Sequence, residues 1–202
     1  MKWLIKLSLS AGLLFALSGA ANAAEYLTNG GFETGDRSGW TFSGDAGFQG
    51  VNSNTSGYYR SQAGDYHYEA GNFSPATLSQ TFTDVAGQAL VVSGWVTGNG
   101  VGPSDVQFVF DGVTLGDVSA PDAPYTQYLF NVTATGNDTF GVTYSDRPSF
   151  LAFDSFSVAT AAAVPEPGAW AMMMLGLGAI GFMARRRKAT QPSMGAALPE
   201  GA

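Results

Sequence analysis

The sequence predicts an all-β domain, a two-sheet antiparallel β-sandwich of jelly-roll type over residues 25–163. Three observations carry this. First, no window between Glu25 and Val164 keeps a helical period; short runs of alternating polarity are broken by Gly, Asn, Asp and Pro at roughly 8–14-residue intervals. Second, the stretch is rich in Val, Thr, Phe and Tyr and has no Lys, which suits pleated, half-buried surfaces. Third, Asp111-Gly112 stands between two apolar runs, the strongest hairpin signal in the chain and the signature of a type I′ turn.

The expected strands follow in order at 67–70, 76–83, 90–97, 105–110, 113–118, 126–132, 139–144 and 151–158. Alternation places Val106, Phe108 and Phe110 on one face of their strand, and Phe140, Val142 and Tyr144 on one face of theirs. Asn99-Gly100 and Gly136-Asn137 mark further turns. Trp40 and Trp95 are read as core residues, Trp95 because its run, LVVSGWV, is apolar. No internal repeat is visible. With no Cys in 202 residues, aliphatic and aromatic side chains must hold the domain without disulfides. The same count excludes a Cys-based zinc or iron–sulfur centre, and the single His excludes a multi-His metal site.

Charge is unevenly spread. The whole chain is at −7, but between Glu25 and Val164 three Arg face fourteen Asp and Glu, a net charge of −11. Such a body repels phosphates and anionic membrane surfaces, so nucleic acid is not an expected partner.

Both ends read as addresses. Lys2 and Lys6, the apolar run 7–17 and the small-x-small site Ala21-Asn22-Ala23 form a secretory signal peptide over residues 1–24. At the other end, Val164-Pro165-Glu166-Pro167 precedes sixteen uncharged residues, 169–184, and the cluster Arg185, Arg186, Arg187 and Lys188. The run is expected to form a single transmembrane helix, although sixteen helical residues cover roughly 24 Å of a roughly 30 Å hydrocarbon core. The basic cluster acts as a cytoplasmic stop. Residues 189–202, small and Pro-containing, are expected to be a disordered tail. Within the run, Gly176, Gly178 and Gly181 spell a dinucleotide-binding pattern, but the strand and the distant acid that such a site needs are absent.

The order of Pro-Glu-Pro, short apolar run and basic cluster resembles the PEP-CTERM sorting signal of Gram-negative bacteria. The resemblance covers residues 164–188 and implies exosortase as a partner, passage through the inner membrane, and delivery to the envelope, surface or biofilm matrix. The tail after Lys188 departs from the usual pattern, which stops at the basic cluster.

The body carries a second resemblance. Asn29-Gly30-Gly31-Phe32-Glu33 with Gly39-Trp40, Leu78-Ser79-Gln80-Thr81-Phe82, and Phe153-Asp154-Ser155-Phe156-Ser157-Val158 are similar to segments of galactose-binding-like jelly rolls, which include carbohydrate-binding modules. The resemblance implies a structural Ca²⁺ held by Glu33 and Asp154, with Asp36 as a further donor. The alternative is that both carboxylates accept backbone N–H groups. Polysaccharide binding is expected from the residues themselves, since the resemblance carries the fold and not the ligand. The densest supply of sugar-binding side chains is Tyr58, Tyr59, Tyr66, His67 and Tyr68, with Arg60, Asp65 and Glu69 among them. Tyr66 and Tyr68 share one strand face and His67 and Glu69 the other, so one of the two faces can equally be core. Given the charge, a neutral glycan, or an acidic one bridged by Ca²⁺, is the expected ligand. A non-binding structural matrix protein is the alternative. Enzymatic activity is not expected: His67 has no nucleophile elbow to serve, and a hydrolase would need a carboxylate pair that no motif marks.

Overall fold

The computed structural model describes residues 23–147, 149–161 and 167–188. The signal peptide up to Asn22, the motif residues Val164, Pro165 and Glu166, and the tail lie outside the described residues. The chain forms two compact units, a sandwich that ends by Ala162 and a C-terminal unit that begins at Ala163.

Ten strands build the sandwich: β1 (Thr41–Gly44), β2 (Phe48–Ser53), β3 (Tyr66–Gly71), β4 (Ala76–Thr83), β5 (Ala89–Thr97), β6 (Ser104–Phe110), β7 (Val113–Ser119), β8 (Thr126–Thr133), β9 (Asn137–Asp146) and β10 (Leu151–Thr160). One sheet runs β1-β4-β9-β6-β7 and the other β2-β3-β10-β5-β8, with every pairing antiparallel. The eight expected strands are all present. β1 and β2 are additional; both are short edge strands, and their Gly and Ser break the alternation that would announce them. Asp111 and Gly112 have φ of 48° and 77°, as a type I′ turn between β6 and β7 requires.

The core lies between the sheets and draws on the inward positions of both. Val106, Phe108, Phe110, Phe140, Val142 and Tyr144 are all buried there, on the faces expected. Trp40 joins them, stacked on Phe32 at 5.7 Å, with its indole N–H donating to the Asn29 carbonyl at 3.0 Å. Trp95 corrects the expectation. It pairs in register with Asp154, while its neighbour Val96 pairs with Phe153 in the core. Trp95 therefore stands half-buried on the outer face of its sheet.

The opening segment closes against β10. Gly30 accepts from Phe156 N at 3.0 Å, at a break in β10 register between Asp154 and Ser157. A Cβ at Gly30 would stand 1.9 Å from the Phe156 carbonyl oxygen, so this approach is open to glycine alone.

In the C-terminal unit, α1 (Pro167–Lys188) forms over the expected run, with Pro167 at its first position, where a missing N–H costs nothing. The expectation of a transmembrane helix over 169–184 is not met by it. No helix among the described residues is long and apolar enough to cross a membrane. Arg185 is exposed, and the side chains of Arg186, Arg187 and Lys188 lie outside the description.

Candidate saccharide groove

The outer face of β3 and β10 carries polar residues that a solvated sheet would leave wet. Here they are covered. Residues 54–65, which connect β2 to β3, fold back over the face and are fastened to it by side chains that accept their N–H groups. Asp154 Oδ2 accepts from Gln62 N at 2.7 Å and Ala63 N at 3.1 Å. Glu33 accepts from Asp65 N at 3.0 Å and Tyr66 N at 3.1 Å. Glu69 Oε1 accepts from Tyr59 N at 2.6 Å; within the connection itself, Asn54 Oδ1 accepts from Ser61 N at 2.7 Å. The Tyr59 hydroxyl donates to the Phe150 carbonyl at 2.9 Å. The connection lies so close that a Cβ at Gly57 would be 2.7 Å from Glu69 Oε1 and 2.8 Å from the His67 ring.

Beneath this cover, His67 Nε2 meets Glu69 Oε1 at 2.9 Å, and Asn52 Nδ2 donates to Glu69 Oε2 at 3.0 Å. Burial pushes the Glu69 carboxyl up, but the bonds from His67 and the Tyr59 N–H outweigh it and leave it below the ordinary value. Burial raises Asp154 despite its N–H donors. Burial also raises Tyr125, with Asp154, Glu69 and Tyr59 adding to it, and its hydroxyl has no partner among the described residues. Tyr59 is pushed up to about 12 by burial, then by Tyr58, Asp146 and Glu69.

The connection stops short of the sheet edge, and an open groove begins there. A cavity of about 500 Å³ is lined by Phe48, Gly50, Asn52, Tyr58, Glu69 and Phe150 among others. A second, of about 230 Å³, shares Phe48 and Phe150 with it and adds Phe73 and Asp146. Tyr58 stacks on Phe150 at 6.1 Å and 28°, and meets Tyr59 edge-on at 5.2 Å. Among the described residues, the sandwich aromatics that stand clearly in solvent are Phe48, Tyr58 and Phe73, at 70, 72 and 56 % exposure. Phe48 and Tyr58 line the larger cavity, and Phe48 and Phe73 the smaller one that adjoins it.

Of the five aromatic and histidine candidates, the structure brings one to the groove. Tyr58 is on its rim. Tyr59 is half-buried and anchors the connection. Tyr66 packs against the core. Tyr68 is corrected: it is fully buried between the sheets, its hydroxyl on Gln49 Oε1 at 2.6 Å and Tyr144 OH at 3.0 Å, and no ligand can reach it. His67 is also corrected: it is sealed under the connection, bound to Glu69. Phe48, Phe73, Phe150 and Asn52 were missed by sequence reasoning. The available signal was large aromatics among Gly, Ser and Asn with no alternating partners to bury them.

Glu33 and Asp154 both border Gly31, with their carboxylates on separate N–H groups of the connection. Glu33 Cγ and Asp154 Oδ1 each lie 3.7 Å from where a Gly31 Cβ would be. Ser155 Oγ is 3.2 Å from Asp154 Oδ1 and 3.3 Å from Gln62 Oε1. These are oxygen donors, the chemistry Ca²⁺ takes, so the residues fit a calcium ion in kind. Asp36 stands apart from them in its own turn, accepting from Ser38 N at 2.9 Å and Thr34 Oγ1 at 2.8 Å. Among the described residues no three His, Cys, Asp or Glu side chains are grouped to hold a metal.

Comparison with known proteins agrees with this architecture. Residues 163–188 match the family model of the PEP-CTERM protein-sorting motif. No curated protein matches the sequence. The sandwich is similar to a family 61 carbohydrate-binding module solved in complex with β-1,4-galactotriose, at TM-score 0.54 and 20 % identity, over 68 % of this chain and 99 % of that one. It is similar also to the enzymatically active domain of tailspike protein 4 of bacteriophage CBA120, at 0.52 and 12 %, over 68 % of this chain and 21 % of that one. A third is the K2 cleaved adhesin domain of Lys-gingipain, at 0.50 and 11 %, over 70 % and 99 %. The chain therefore carries a PEP-CTERM protein-sorting motif behind a β-sandwich that is structurally similar to carbohydrate-binding modules.

Proposed function

We propose that this is an exported, exosortase-processed surface or matrix protein whose sandwich binds extracellular polysaccharide without acting on it. The sorting motif supports the export and processing. The observation that supports the binding is the gathering of Phe48, Tyr58 and Phe73 on two adjoining cavities. Exposed aromatic faces cost a monomer solubility, and sugar C–H faces stack on them well. Asn52 sits beside them as a planar hydrogen-bonding group for hydroxyls. The body's charge of −11 disfavours a free polyanion as ligand.

The test uses the sandwich, residues 24–161, whose core is drawn entirely from within it. It is sedimented with the producing cell's extracellular polysaccharide. Saturable retention is expected, weakened about tenfold by Tyr58→Ala and by Phe48→Ala, a loss of roughly 1.4 kcal/mol each. Melting temperatures should hold, because both rings stand in solvent. Absence of retention from the folded domain makes this a structural matrix protein. Release of free sugar makes it a hydrolase.

For Glu33 and Asp154 we propose structural Ca²⁺, supported by their shared position at Gly31 and the oxygen atoms around them. Millimolar Ca²⁺ is expected to raise the melting temperature over that in chelator by on the order of 5 °C. An unchanged melting curve assigns the pair to N–H capping alone.

A further inference from the structure

We infer that the smaller cavity, with Asp146 in its wall, is an ammonium subsite that receives the free amine of a de-N-acetylated amino sugar in the bound polysaccharide. This rests on the saccharide reading of the groove and names its ligand class.

Asp146 is the last residue of β9 and is 2 % exposed. Among the described residues neither carboxylate oxygen has a partner of full hydrogen-bonding geometry; the Ser149 N–H faces the group and bonds it weakly. Next to it in the fold, Asn72 accepts from Asp146 N at 2.8 Å, and the Asn72 Oδ1 atom is a further buried acceptor with no partner. The place is thus rich in acceptors and short of donors. A buried carboxylate bonded so weakly costs stability, so its retention calls for a compensating group. None of the residues that line the cavity is a cation. Arg147, the adjacent basic side chain, is turned to Phe73: its Nε donates to the Phe73 carbonyl, and its guanidinium lies 5.7 Å from the Phe73 ring centroid.

The remaining walls choose among the groups that could fill the gap. Phe48, Phe73 and Phe150 present rings on the same cavity as the carboxylate. Ca²⁺ needs six to eight oxygens and gains little from three phenylalanines. An ammonium group has three donors and no acceptor, and aromatic faces attract it. The cavity also opens beside Phe48 and Phe150, which wall the main groove. A sugar stacked in that groove can therefore present a ring substituent to Asp146. An acetylated amine has neither the charge nor the three donors, so the subsite discriminates between the two forms of one sugar.

The experiment compares three oligosaccharides of equal length against the sandwich at about pH 6, where amines of this kind remain protonated. They are a glucosamine oligomer, its N-acetylated form and a neutral glucose oligomer. The glucosamine oligomer is expected to bind at least tenfold more tightly than the other two. Asp146→Asn should abolish that preference. It should also raise the melting temperature at neutral pH. Burial holds the Asp146 carboxyl above its ordinary value, with the Ser149 N–H opposing. The folded state then favours the protonated form, and stability falls as pH rises from the unfolded value through the folded one. A neutral isostere removes that loss. Tyr58→Ala should weaken all three ligands alike. Equal binding of the free and acetylated oligomers, or a preference that survives in Asp146→Asn, overturns the ammonium subsite and leaves saccharide binding standing. Failure of the native polysaccharide and all three oligomers to bind overturns both.

Discussion

Asp154→Ala is expected to lower the stability of the sandwich by about 3 kcal/mol and to release residues 54–65 from the sheet. Asp154 is fully buried, and its Oδ2 atom satisfies the N–H groups of Gln62 and Ala63. Alanine leaves both donors without a partner in a place that water reaches poorly, at roughly 1–3 kcal/mol each, less what relaxation recovers. The connection is then held by Glu33 at its far end and, at Tyr59, by Glu69 and the Phe150 carbonyl. Thermal melts read the stability. Trypsin reads the release, because Arg60 is exposed within the connection and should become a fast cleavage site. Asp154→Asn keeps an acceptor oxygen and is expected to cost about 1 kcal/mol, without the cleavage. If trypsin cuts wild type and Asp154→Ala at equal rates, the connection is not fastened in this way. The consequence reaches the groove, because Tyr58 stands on this connection and takes its place from it.

Gly30→Ala is expected to cost about 3 kcal/mol or more, for a different reason. The added Cβ would sit 1.9 Å from the Phe156 carbonyl oxygen, and both partners are backbone. No side chain can rotate away. Either the opening segment lifts from β10, with loss of the Phe156 N–H to Gly30 bond, or the β10 irregularity is rebuilt. Phe32 and Trp40, both core residues, hang on that segment and would move with it. Gly112→Ala is the control. Gly112 has φ of 77° but nothing within 4 Å, so alanine there meets backbone strain alone, about 1 kcal/mol. Urea midpoints of the two variants separate the effects. Equal shifts would show that close approach at Gly30 is not the constraint.

Much of the fold was legible because alternation at period two reports which residues face a common side. It assigned Val106, Phe108 and Phe110, and Phe140, Val142 and Tyr144, to the core faces they occupy. The Asp111-Gly112 turn was legible because its two positive φ angles restrict the residues that serve there. The groove was much less so. Alternation in Tyr66-His67-Tyr68-Glu69 separates two faces but cannot say which is inside. Here both faces are hidden, one by the opposite sheet and one by the β2–β3 connection. That is why His67 and Tyr68 looked available and are not. Trp95 failed for the same reason in reverse: an apolar run reads as buried on both sides, yet its outer face lies outside the core.

The sequence by itself determined the all-β class, the sandwich, the acidic body and the sorting motif. Each follows from local pattern, composition or linear order, which need no distant partner. Tertiary structure alone decided the site. Phe48 comes from an edge strand without alternation, Phe73 from the turn after β3, Asp146 from the end of β9 and Phe150 from the segment before β10. Their assembly depends on β3 lying between β2 and β10, a pairing of segments up to about 85 residues apart. Cross-strand register is set by long-range burial, and no local stretch of sequence carries it.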